Sequence, residues 1–175
     1  MTTALFAIDI QDNMMTGKYS VPNAEAFADL FEARISAARE AGQPVIWVQN
    51  DGPEGDVDEP FSDGWQLFFV PNVGELVVRK TTQNVFESNP ELANQLKQLG
   101  IDEVELIGMQ SEYCVQASAR GAKAAGFKVV LNPTLHATFH DGTPATNISG
   151  TFEVSAAQLA AKVRAELVAE GVIEA

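Results

Sequence analysis

Short apolar runs alternate along this chain with longer amphipathic stretches, and that alternation constrains the fold more than any other feature. ALFAIDI (4–10) is a compact apolar run and reads as a strand. Residues 22–42 place Phe27, Leu30, Phe31, Ile35 and Ala38 at helical spacing and stop at Gly42. PVIWVQN (44–50) is a second strand, and ELVVRK (75–80) a shorter third. Residues 89–100 form a helix: Asn89 caps it, Pro90 suits its first position, Leu92, Leu96 and Leu99 make its stripe, and Gly100 ends it. EVELIG (103–108) is strand four, 112–126 a helix, FKVVLN (127–132) strand five and TFEV (151–154) a sixth. The last helix, 155–171, opens on a Ser-x-x-Gln capping box and ends at Gly171.

Strands that alternate with helices imply βαβ units, hence an α/β fold: a three-layer α/β/α domain around a parallel sheet of about six strands. A length of 175 residues suits one domain, 1–175. In such sheets ligands collect beyond the carboxyl ends of the strands. The polar residues just after each strand are therefore the candidates.

Three strand ends supply an acid, a base and a thiol. Asp9 closes the first strand, where a poorly solvated carboxylate could accept a proton. Lys80 closes the third and could hold an anion or favour a thiolate. Cys114 follows the fourth; with Ser111 as N-cap it falls in the first turn of a helix, where backbone N–H groups and the dipole favour a thiolate or an oxyanion. Each residue has a plainer reading: a loop salt bridge, a surface lysine, a buried structural cysteine. Together they make a workable nucleophile constellation.

Other classes are disfavoured. The net charge of −13 repels polyphosphate, so no nucleic-acid partner is expected. Residues 51–63 hold six carboxylates and no Lys or Arg, and read as a solvated loop within a long irregular segment, 51–74. One cysteine excludes an intrachain disulfide and a CxxC pair. No apolar run approaches the roughly 20 residues of a membrane span, and the N-terminus reads as neither signal peptide nor anchor, so a cytoplasmic protein with no membrane partner is expected. His136 and His140 stand at a metal-pair spacing, but no third ligand is evident nearby; no metal or other cofactor is expected. MTGKYS (15–20) lacks the glycine spacing of a phosphate loop. GWQLFFVP (64–71) is apolar for an irregular stretch, as if covered by a partner subunit or lying over the site.

FAIDIQDNM, VVRKTTQNVF and IGMQSEYCVQAS together resemble the isochorismatase-like cysteine hydrolases, a superfamily that includes nicotinamidases and N-carbamoylsarcosine amidohydrolases. The resemblance runs from about residue 4 to 170. It implies a sheet order of 3-2-1-4-5-6 and a catalytic triad of Asp9, Lys80 and Cys114. It also implies a cis peptide between Met109 and Gln110, aiming the Gln110 N–H with that of Cys114 into an oxyanion hole. It sets Trp65 and Phe86 around the substrate; Gln11, Tyr113 and His136 are the other candidate substrate contacts. Nicotinamidases bind a metal through Asp-x-His after strand two. This chain has Asn50-Asp51-Gly52 there, as in the metal-free branch but with Asn50 replacing a His.

The function these residues imply is a metal-independent cysteine hydrolase that cleaves a small amide or related acyl compound through a thioester. A homo-oligomer is expected, as in relatives. One alternative is an enol-ether hydrolase that uses Asp9 and Lys80 without covalent catalysis. Another is a non-enzymatic protein that binds or senses through its thiol.

Overall fold

The computed structural model describes residues 2–139 and 156–175. Its sheet holds β1 (Thr3–Ile8), β2 (Val45–Asn50), β3 (Leu76–Lys80), β4 (Glu103–Met109) and β5 (Lys128–Ala137). All neighbours are parallel, in the order β3-β2-β1-β4-β5. The expected sixth strand, 151–154, lies outside the described residues. Beyond β5, Ile173 makes a parallel bridge to Val129.

β1 is central and buried on both faces, which is why it reads as an unbroken apolar run. Ala4, Phe6 and Ile8 face α4 (Leu92–Gln98), α5 (Gln116–Ala124) and α6 (Ala156–Ala169) through Leu96, Ala119 and Leu167. Leu5 and Ala7 face α2 (Ala24–Glu40) through Phe31 and Ile35. Fully burying each such Leu, Ile or Phe is worth about 1.5–3 kcal/mol, and the two clusters clamp the sheet between helical layers. Among the described residues no helix is long and apolar enough to cross a membrane.

Several local expectations change. Asn89 does not cap α4, which starts from Glu91. Instead Asn89 ends a short helix, α3 (Val85–Ser88), and its amide donates to the Arg79 and Val85 carbonyls. The helix expected over 112–126 is split into a π-helical turn, Ser111–Val115, followed by α5. β5 extends past residue 132 because a bulge absorbs the extra residues: Leu106 pairs with Leu131, but Gly108 with His136. Pro133, which has no N–H for a ladder, sits inside that irregularity. Within the stretch 64–71, Leu67, Phe68 and Phe69 pack partly buried on the α2-side cluster and the Phe68 N–H donates to the Ile10 carbonyl at 2.9 Å, while Val70 is exposed.

β1 and β4 approach very closely at their carboxyl ends. Gly108 has φ +114°, and a Cβ there would lie 2.0 Å from the Ile8 carbonyl oxygen. Only glycine fits, and the ends of β1 and β4 thereby meet at the switch point of the sheet.

Candidate active site

Asp9, Lys80 and Cys114 converge at that switch point. Asp9 follows β1 directly, in the left-handed region at φ 49°. Its N–H donates to the Val48 carbonyl of β2 at 2.9 Å. A non-glycine residue held there is a local strain, and strain of this kind clusters at functional sites. Lys80 ends β3, an edge strand on which alternation turns Val78 and Lys80 inward and leaves Val77 and Arg79 outside. Cys114 lies in the π turn after β4 and is partly buried.

The Lys80 ammonium has three N–H bonds and three acceptors. Asp9 Oδ2 is at 2.8 Å, Asn50 Oδ1 at 2.8 Å and Cys114 Sγ at 3.3 Å. The Lys80 and Asp9 side chains are 0% and 1% exposed. A buried ammonium survives only when its donors are used. The other Asp9 oxygen, Oδ1, is buried with no hydrogen-bond partner among the described residues.

Burial raises the Asp9 carboxyl above its ordinary value, against the pull of Lys80. That makes it a stronger base than a solvated aspartate. Burial also draws the Lys80 ammonium down, but Asp9 and Cys114 outweigh it and the net shift is upward. Burial, then the Asp9 charge, push the Cys114 thiol up to about 12, with Lys80 only partly opposing them. The resting thiol is therefore protonated. The thiolate expected from a helix start is not what these surroundings favour: desolvation and a neighbouring carboxylate exceed the ammonium's effect. The arrangement is a protonated thiol beside a desolvated carboxylate, both held by one ammonium.

The Met109–Gln110 peptide is cis. The Gln110 carbonyl accepts from the Tyr113 and Val115 N–H groups, both at 3.1 Å, so the chain folds back over Gln110 and brings residues 110 and 114 to the two ends of one turn. Ser111 is not an N-cap. Its Oγ contacts His136 Nδ1 at 2.7 Å and donates to the Ala137 carbonyl at 3.1 Å, which ties the turn to β5.

The other candidate residues are spread more widely. Gln11 is buried and fully engaged: its Nε2 donates to the Asn50 and Trp65 carbonyls and its Oε1 accepts from the Asn50 N–H. Trp65 Nε1 donates to Asp51 at 2.8 Å; its ring lies under the Arg79 guanidinium and packs at a tilt against Phe61. Phe86 stacks on Phe6 and packs at a tilt against Phe127, on the α4–α6 side of the core. Tyr113 is exposed beside Cys114. His136 is buried and neutral, its pKa lowered to about 4 by burial. Its Nε2 has no hydrogen-bond partner among the described residues. His140 lies outside them.

Two residues of this site were not legible as such. Asn50 stood out only as a substitution, yet its Oδ1 accepts from the central ammonium. Asp58 belongs to the segment read as a solvated loop, but its Oδ2 accepts from Asn50 Nδ2 at 2.7 Å. Asp51 of the same segment pairs with Arg79. Both ends of the Asn50 amide are thus occupied, and it is not free to ligate a metal. Among the described residues, no three or more His, Cys, Asp or Glu side chains gather as metal ligands.

Comparison with known proteins bears on the fold and the family. The isochorismatase domain model matches residues 3–161. A streptothricin hydrolase of Streptomyces noursei is 38% identical over 91% of this chain and 63% of its own length, so the chain spans less than two thirds of that relative. An uncharacterized isochorismatase family protein of Bacillus subtilis is 33% identical over 73% of each chain. Among solved structures, an isochorismatase from Pseudomonas putida superposes with a TM-score of 0.82 at 26% identity, covering 95% of this chain and 83% of that one. N-carbamoylsarcosine amidase from Thermoplasma acidophilum superposes at 0.73 and 24% identity, over 79% and 85%, and shares the fold. The chain belongs to the isochorismatase family.

Proposed function

We propose that this protein is a cysteine hydrolase that cleaves a small amide or related acyl compound through a thioester, without a metal. The observation that carries the reading is the buried ammonium of Lys80, bonded at once to Asp9 and Cys114. The name of the streptothricin hydrolase relative supports hydrolysis as the class of reaction.

In this reading Asp9 takes the thiol proton as Cys114 Sγ bonds to the carbonyl carbon. The carbonyl electron pair moves to oxygen, which the Gln110 and Cys114 N–H groups hold. Each such donor typically supplies about 3–4 kcal/mol. Collapse of the tetrahedral intermediate breaks the C–N bond, and the departing amine takes the proton from Asp9. Asp9 then removes a proton from water and the hydroxide adds to the thioester; collapse breaks the C–S bond, the acid leaves, and Cys114 takes the proton back from Asp9. Lys80 stays charged throughout and stabilises whichever of Asp9 and Cys114 is the anion.

A panel of small amides assayed for amine or ammonia release tests this. Mass spectrometry of acid-quenched enzyme should find the acyl group on the peptide that carries Cys114. Turnover that persists after Cys114 has been fully alkylated would instead favour a non-covalent reaction run by Asp9 and Lys80.

A further inference from the structure

Asp58 is a carboxylate of the acidic segment that turns toward the site. Its Oδ2 accepts from Asn50 Nδ2 at 2.7 Å, and Asn50 Oδ1 accepts from Lys80 Nζ at 2.8 Å. Gly52 makes the approach possible. A Cβ at that position would stand 2.0 Å from Asp58 Oδ1, and the Gly52 N–H donates to the Asp58 carbonyl at 2.9 Å. The Asn50 backbone is pinned from the other side, since Gln11 bonds both its N–H and its carbonyl.

An ionised carboxylate only accepts hydrogen bonds, and an ammonium only donates them. Between the two, the Asn50 amide has one orientation that satisfies both, with nitrogen toward Asp58 and oxygen toward Lys80. The flipped amide would set its NH₂ against the ammonium and its oxygen against the carboxylate. Asp58 therefore selects the face that Asn50 shows to Lys80.

We propose that Asp58 is a positioning residue: by orienting Asn50 it engages one N–H of Lys80 and leaves the other two directed at Asp9 and Cys114. The proposal rests on the hydrolase reading in that the reaction uses Lys80. Asp58 also adds negative charge near Asp9, which is faced by Lys80 from β3 and Cys114 from the π turn; the Asp58 charge works to raise Asp9. Removing that charge while keeping an acceptor separates the two effects.

The test follows the Lys80 ammonium by ¹H–¹⁵N NMR on the full chain, with Lys80→Met assigning the signal. A buried ammonium with three acceptors gives a slowly exchanging resonance. Asp58→Asn keeps an oxygen for Asn50 and should retain that resonance. Asp58→Ala, and Gly52→Ala, which drives Asp58 off, should speed its exchange or abolish it. On an amide that the enzyme turns over, Asp58→Ala should lower kcat about tenfold with little change in KM. Asp58→Asn should retain most of kcat and move the acid limb of kcat/KM to lower pH. A Lys80 resonance that exchanges in Asp58→Ala as in wild type would overturn the proposal, whatever the enzyme acts on. If the NMR results hold but no amide is hydrolysed, the hydrolase reading fails and the positioning of Lys80 stands.

Discussion

At the scale of single residues, the site is governed by competition between desolvation and pairing. Lys80 and Asp9 are both buried, and removing either leaves the other charge without compensation, a loss typically of about 3–5 kcal/mol. Asp9 must be ionised to accept the thiol proton. Its folded pKa is raised, so kcat/KM should fall as pH drops through a value above 3.8, and Asp9→Asn should lower kcat by about 10²–10⁴. The thiol gives a second pH signature that needs no substrate. With Cys114 pushed up to about 12, alkylation by iodoacetamide should be slow at neutral pH and still accelerating well above pH 9. A plateau between pH 8 and 9 would contradict the burial argument. Lys80→Met, which removes the ammonium that favours the thiolate, should slow alkylation further.

At the scale of elements, the closest constraint lies where β1 meets β4. Gly108→Ala puts a Cβ into the Ile8 carbonyl and forces alanine to φ +114°. It should cost at least about 2–3 kcal/mol, read as a lowered midpoint in denaturant. Most elements were legible because burial on both faces leaves strands as plain apolar runs and one-sided burial leaves helices with a stripe. The meeting of Asp9, Lys80 and Cys114 was legible because each closes a strand or follows one. The π turn was not, because it is held by contacts distant in sequence: Ser111 is tied to His136 and Ala137 of β5. The length of β5 was hidden by Pro133, which ends a ladder in most settings but here sits in a bulge. Asp58 was hidden for a different reason. A carboxylate in an acidic loop has the same sequence signature whether it faces water or an asparagine eight residues earlier.

At the scale of the whole molecule, the acid stability of the fold should depend on Glu75. This carboxylate accepts from Arg39 of α2, from Trp47 Nε1 of β2 and from the Asn72 N–H before β3, so it joins three parts of one edge of the domain. The Arg39 bonds, against burial and with help from Trp47 and Asn72, hold its pKa at about 2, below the ordinary 4.5. A depressed carboxylate stabilises the fold above its unfolded pKa, and that contribution fades as pH falls from 4.5 toward 2. Glu75→Gln should therefore cost up to about 3 kcal/mol at pH 7 and progressively less in acid, measured by denaturation at a series of pH values. The same joining of distant parts produces the site: the ends of β1 and β2 and the turn after β4 each deliver one acceptor to the Lys80 ammonium of β3. The most direct check is the turnover of Cys114→Ala, compared with wild type on an amide the wild type hydrolyses. Covalent catalysis by Cys114 predicts a loss of at least about a thousandfold in kcat with the fold intact. Activity within tenfold of wild type would contradict it.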